Sequence, residues 1–173
     1  MSELQKLLDR FQKEQTVTIG VCGAGTFDEL TEVLEKRNLA LEGFVEQDIA
    51  RRIDPALTMP EVKSIIVLAK GYGKEYVFEK DQQLRGVLSE ASVGEDYHKS
   101  LKRVLEDLTE QLNILYPEAL FQSYVDTGPL VDREVAYRAG IGFYGKSGAL
   151  IHPTMGPKFV IGYLLTNLLL PVN

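Results

Sequence analysis

Hydrophobic positions recur at helical spacing at the start of the chain, where Leu4, Leu7, Leu8 and Phe11 share one face, and then close up into the apolar run "TVTIGVC". The first pattern predicts an amphipathic helix and the second a buried strand over residues 16–22. Thr26 and Glu29 have capping-box spacing, with Phe27, Leu30, Val33 and Leu34 on one face behind them, so a second helix is expected from about Thr26. "SIIVLA" at 64–69 reads as another strand, and the glycines of "GYGKEY" after it suit a loop at the head of a long connection. From Asp96 the stripe Leu101, Val104, Leu105, Leu108, Leu112 and Leu115 predicts a long helix that stops before Pro117. "FQSYVD" then reads as a strand, residues 129–139 as a short helix ended by Gly140, and "KFVIGYLLTN" as a last strand. With no repeat, linker or low-complexity tract, the alternation predicts one α/β (α+β) domain over 1–173, a mixed β-sheet flanked by helices.

Composition narrows the chemistry. A formal net charge of -6 argues against a surface that is basic throughout, so any nucleic-acid contact must be a local basic groove or belong to another module. The single cysteine, Cys22, excludes an internal disulfide and any cysteine-held cluster built by this chain alone. The N-terminal "MSELQKLLDRFQKEQ" is charged throughout, which makes the cytoplasm the expected location and no membrane the expected partner. The chain ends "LLLPVN", which suits either a natural terminal strand or a sequence continued in a longer protein.

Seven of the 15 glycines lie between Gly128 and Gly162, so that segment must turn tightly or admit something closely. An earlier run, "GVCGAGTF", imitates a dinucleotide fingerprint but has Asp28 where the third glycine belongs, and an acid there repels a pyrophosphate. "GIGFYGKS", 140–147, satisfies Gly-x-Gly-x-x-Gly, yet it follows a helix and leads into the extended "ALIHP", the reverse of a fingerprint's context. It still offers backbone N–H groups and the Lys146 ammonium to a phosphate or an amide-rich ligand. Asp126 closes a predicted strand before Thr127, Gly128 and Pro129, where a carboxylate either caps the next helix or does chemistry. Arg138 can pair with Glu134 four residues earlier, and His98 and His152 lack metal-ligand spacing.

The segments "RRIDPALTMPEVKSIIVLAKGY", "GEDYH", "YVDTGPLVDREVAYRAGIGFYGKSGALIHP" and "GYLLTNLLL", in this order and spacing, resemble the N-terminal cobalamin-binding domain of the epoxyqueuosine reductase family. The resemblance runs from about Glu46 to Leu170 and is most specific from Asp126 to Lys146. It implies a nitroreductase-like fold and a cobalamin-dependent oxidoreductase that removes the epoxide oxygen of epoxyqueuosine in tRNA, giving queuosine. It also implies electrons from two 4Fe-4S clusters in a ferredoxin-like region beyond this chain, since Cys22 alone cannot hold them. The chain then reads as one domain of a longer protein.

By the same resemblance Asp126 is the proton donor to the departing oxygen, a poor leaving group unless an acid protonates it. A carboxyl with an ordinary pKa of about 4 is ionised at neutral pH, so burial against the corrin and the substrate is expected to raise it. Thr127, Gly128, Arg133, Arg138, Gly145, Lys146, Ser147, Tyr97 and His98 are the implied cofactor-binding residues. Two departures stand out: "SEASVGEDYH" has Glu90 and Ala91 where the family has a basic and an aromatic residue, and Phe143 to Ser147 replace its Trp-x-Gly-Lys-Asn. They leave room for a paralogue with another substrate, a flavin-dependent reductase or a non-catalytic binding module.

Overall fold

The computed structural model describes residues 2–40, 48–72 and 95–172. Helix α1 (Glu3–Gln15) begins at Ser2, whose side chain accepts from the Gln5 amide, and it buries Leu4, Leu7, Leu8 and Phe11. Strand β1 (Thr18–Gly23) follows, then a 3-10 turn (Asp28–Leu30), α2 (Thr31–Ala40), α3 (Ile49–Ile53) and a second 3-10 turn (Pro55–Leu57). Strand β2 (Ser64–Gly71) precedes α4 (Tyr97–Leu115), β3 (Phe121–Val125), α5 (Asp132–Arg138), the short β4 (Phe143–Tyr144) and β5 (Leu150–Ile151), and β6 (Phe159–Thr166).

The main sheet has the order β1-β2-β6-β3. Every pair in it is antiparallel, with Ile66 opposite Val21 on one side and Leu164 on the other. The α/β layering is as expected, but the mixed sheet is corrected to an antiparallel one. "SIIVLA" is apolar throughout because both of its faces are covered, a pattern more familiar from parallel sheets. Ile66, Leu68 and Leu164 pack with the leucines of α1 and α4 on one face. Ile65, Val67, Tyr163 and Leu165 pack on the other with Val135 and Ala136 of α5, Ala139 just beyond it, and Phe27.

Three local expectations also change. The helix expected from Thr26 starts at Thr31, because the Thr26 hydroxyl donates to the Asp28 carboxylate (2.9 Å) instead of capping a turn. Phe27 and Leu34 are buried but Val33 is 60% exposed, so the supposed single face is split. Gly71 belongs to the β2 ladder opposite Phe159, and residues 73–76 of the expected loop lie outside the described residues, as do 89–94 of "SEASVGEDYH". The helix expected over 129–139 begins at Asp132, since the Leu130 amide is drawn off to the Tyr163 hydroxyl (3.2 Å).

The two glycine-rich runs separate clearly. Added side chains at Gly23 and Gly25 would meet open space, and the 3-10 turn behind them carries Asp28 in its first turn, so nothing there is shaped for a phosphate. "GIGFYGKSGALI" is the β4–β5 hairpin, with Phe143 opposite Ile151. A Cβ at Gly142 would lie 2.4 Å from the Ile151 carbonyl oxygen, which explains that glycine by packing. His152 anchors the far end of the hairpin. Its Nδ1 accepts from the amides of Thr154 (3.1 Å) and Met155 (3.2 Å), so the proton sits on Nε2, which donates to the Thr18 hydroxyl (3.0 Å). Burial accordingly lowers its pKa. Among the described residues no helix is long and apolar enough to cross a membrane.

Candidate active site

The site forms where β3 runs out. The Thr127 amide donates back to the Val125 carbonyl (2.6 Å), a three-residue γ-turn that leaves Asp126 at φ 58°. Positive φ is uncommon outside glycine, although Asp and Asn tolerate it best, and such turns cost on the order of 1–3 kcal/mol. The next residues are pinned from below. A Cβ on Gly128 would fall 2.1 Å from the Tyr163 hydroxyl, so only glycine lets the turn settle onto that buried ring. Tyr163 also stacks on Tyr124 (5.3 Å between centroids) and is held well above its ordinary pKa by burial.

Asp126 is not a cap. Helix α5 starts six residues later, with Val131 at its N-cap and no side-chain bond there. The carboxylate instead meets His98 at the start of α4, where His98 Nε2 donates to Asp126 Oδ2 (3.3 Å). The other ring nitrogen, Nδ1, donates to Asp96 Oδ1 (2.8 Å), and the same Asp96 oxygen caps α4 by accepting from the His98 amide. Between two carboxylates the imidazole pKa rises, chiefly through Asp96 and then Asp126, while Asp96 is lowered in return by its bond to His98. Tyr97 lies stacked on the same ring at 4.0 Å. Burial raises its phenol pKa, and the Asp126 carboxylate is the next cause. The Asp126 side chain remains 59% exposed, within reach of a ligand.

A hollow of about 400 Å³ opens beside this carboxylate, bordered by Arg37, Arg52, Tyr97, Asp126, Asp132 and Arg133. A second, of about 450 Å³, shares Arg52 and holds Arg51, Thr127 and Gly128. A third, of about 250 Å³, shares Thr127 and holds His98 and Lys102. The three form a furrow around the 126–128 turn, where Arg37, Arg51, Arg52, Arg133 and Lys102 outnumber Asp48, Asp126 and Asp132 in a chain of net charge -6. Arg51 and Arg52 reach it from α3, a five-residue helix whose start is capped by Asp48 through the Arg51 amide (3.0 Å).

Of the residues expected from sequence, the structure brings together Asp126, Thr127, Gly128, Tyr97, His98 and Arg133. It does not bring Arg138, Gly145, Lys146 or Ser147 to these hollows. Arg138 is committed to bracing α5: it donates to the Thr26 carbonyl (3.0 Å) and to Glu29, pairs with Glu134 (3.4 Å) and lies 4.0 Å over the Phe27 ring. The expected pair with Glu134 exists, but Glu134 is buried rather than on the surface. Lys146 and Ser147 are exposed at the hairpin tip, where Gly145 N–H and Gly148 N–H are already spent on the turn. Arg133 links the two regions by donating to the Gly148 carbonyl (2.7 Å).

Sequence reasoning missed Asp132, Arg37, Arg51 and Arg52. Asp132 is the carboxyl that the structure pushes toward neutrality, to about 7, by burial first and the Asp126 charge second, against Arg52 and Arg133. Its position one residue before Arg133 gave no hint of this, because the shift depends on what three other elements lay over it. The basic "RRIDP" run was visible and only its role was not.

An antiparallel sheet with helices on both faces, ending in a furrow around a strained, histidine-bonded carboxylate, defines an α/β domain with an acid-bearing surface cleft. Residues 52–127 match the family described as epoxyqueuosine reductase QueG, DUF1730. The chain is 39% identical over 158 residues to the epoxyqueuosine reductase of Staphylococcus aureus, an alignment covering 87% of this chain and 41% of that protein. Its fold matches an epoxyqueuosine reductase crystallised with an epoxyqueuosine-modified tRNA-Tyr stem loop (TM-score 0.89, 34% identity, 99% of this chain and 47% of that one). It also matches the Bacillus subtilis enzyme with an aspartate-bearing catalytic loop swung out of its active site (TM-score 0.88, 32% identity, 99% and 47%). Over the part they share, the chain is similar to epoxyqueuosine reductases in both sequence and fold. It spans less than half the length of each of these relatives.

Proposed function

We propose that this chain is the cobalamin- and substrate-binding part of an epoxyqueuosine reductase, reducing the epoxide of epoxyqueuosine in tRNA, with Asp126 as the acid that protonates the departing oxygen. The observation that carries the reading is the posture of Asp126: it caps nothing, its backbone is strained, and its exposed carboxylate is hydrogen-bonded to His98 at the edge of a basic hollow. Strain retained at such a point is typical of catalytic residues.

The donor set suits cobalamin. Arg37, Arg52 and Arg133 offer guanidinium donors to a ligand rich in carboxamides and carrying a phosphate, and Tyr97 and Phe159 offer apolar faces to a corrin. Bound there, reduced cobalt would supply the electrons that convert the epoxide to an alkene. Thr127 and Gly128 hold the turn, Asp96 orients His98, and His98 in turn orients the Asp126 carboxyl. The basic rim, with Arg51 and Lys102, suits an RNA backbone, and a relative solved with a tRNA stem loop supports that partner. Electrons would come from 4Fe-4S clusters in another module. Cys22 is buried, its thiol raised to about 11 chiefly by that burial, and one cysteine cannot hold such clusters.

The test is Asp126→Asn, which also tolerates positive φ. With chemically reduced cobalamin and an epoxyqueuosine-containing tRNA stem loop, single-turnover reduction should fall by about 10²–10⁴-fold, the usual worth of general acid catalysis, with the melting temperature nearly unchanged. Turnover equal to the parent would remove Asp126 from the mechanism.

A further inference from the structure

Taking an epoxide oxygen away as water breaks two C–O bonds, forms one C=C bond and consumes two electrons and two protons. On the reading above, a low-potential reductant of the low-valent cobalt class brings the electrons and Asp126 brings a proton. One carboxyl carries only one. A second proton must reach the oxygen before it can leave as water, and Asp126 has to be reloaded to deliver it.

Asp132 borders the same hollow as Asp126, at the start of α5, and its Oδ1 is buried with no hydrogen-bond partner among the described residues. A buried carboxylate oxygen without a donor is costly, whereas a protonated carboxyl there is not. The groups around it come from every neighbouring element: Asp126 from the turn, Arg37 from α2, Arg52 from α3, Tyr97 from α4, Arg133 from α5 and Tyr163 from β6. The arginines favour its charged form, but burial and the Asp126 charge outweigh them. His98 also meets Asp126 (3.3 Å), with its side chain 40% exposed at the rim. Asp132 is the acid set back behind the turn.

We propose that Asp132 is a proton-holding residue that acts through Asp126, reloading it across the hollow they share so that both protons are delivered in one turnover. This rests on the reductase reading, and the test separates the two. In the first arm the chain is labelled with carboxyl-13C aspartate and titrated by NMR from about pH 4 to about pH 9, a span covering ordinary and raised carboxyls. The signal lost in Asp132→Asn should titrate near 7, and in Asp126→Asn it should move down, because one of its two raising causes is gone. No substrate is involved, so this arm decides proton holding even if the reductase reading fails.

In the second arm, single-turnover reduction of the stem loop by chemically reduced cobalamin is followed against pH. The parent should slow above about pH 7, Asp132→Asn should lose that inflection and be about tenfold slower below it, and Asp132→Glu should recover it. Melting temperatures measured beside the rates separate misfolding from lost proton supply. A titration of Asp132 in the ordinary carboxylate range, or an Asp132→Asn profile identical to the parent's, overturns the proposal. Asp132 titrating near 7 while Asp126→Asn turns over normally would remove Asp126 from the mechanism and overturn the relay through it.

Discussion

At the scale of single residues the site is built from groups that sequence position does not distinguish. Asp132 and Asp126 are both acids in one motif, yet one is set back in the hollow and the other projects 59% exposed. Because the folded pKa of Asp132 is raised from 3.8 to about 7, the folded chain keeps a proton that the unfolded chain has released in that interval. The contribution of Asp132 to stability therefore falls as pH rises from about 4 to about 7 and levels off beyond it. Removing the charge should help. Asp132→Asn is expected to be more stable than the parent at about pH 8 by on the order of 2 kcal/mol, after discounting for partial exposure, and no more stable at about pH 4. Paired thermal melts at the two pH values check this. Gly128→Ala should do the opposite at any pH, since its Cβ would sit 2.1 Å from the Tyr163 hydroxyl, and a loss of about 1–3 kcal/mol by denaturant titration is the expected size of such overpacking.

Elements were legible in proportion to how much of their pattern came from one face. The stripe from Leu101 to Leu112 on α4 is buried as its spacing implied, and Asp96, where the helix was expected to start, is its N-cap. Leu108→Ala should cost about 2–5 kcal/mol in chemical denaturation, the range for a fully buried leucine, and should leave the site's geometry alone. Where two faces or distant partners compete, the pattern misleads. Strand β2 is apolar on both sides, so its sequence is silent about whether its neighbours run parallel or antiparallel. The turn at Thr26 lost its helix to a local hydroxyl–carboxylate bond and to Arg138, which arrives from more than a hundred positions later to sit on Phe27. The glycines of the Lys146 loop are conspicuous in sequence and suggest a ligand cradle, but hairpin packing accounts for Gly142 and Gly145, and Gly148 turns the chain at φ 74°.

On the scale of the whole molecule, the furrow is open along its length, and a corrin bound against Tyr97 and Phe159 would keep one face in water. This chain alone is therefore expected to hold cobalamin weakly, and equilibrium dialysis against cob(II)alamin should give a dissociation constant weaker than micromolar. Micromolar or tighter retention would show this wall to be sufficient. The basic rim has a further consequence. Arg37, Arg51, Arg52, Arg133 and Lys102 gather on one side of a chain whose net charge is -6, so the remaining surface is more acidic than that sum suggests. A polyanion approaching this side meets those five cations against the carboxylates of Asp48, Asp126 and Asp132, so approach there is favoured over approach to the acidic remainder. Encounter should thus be oriented before any contact forms, and that advantage fades as salt shortens the reach of the field.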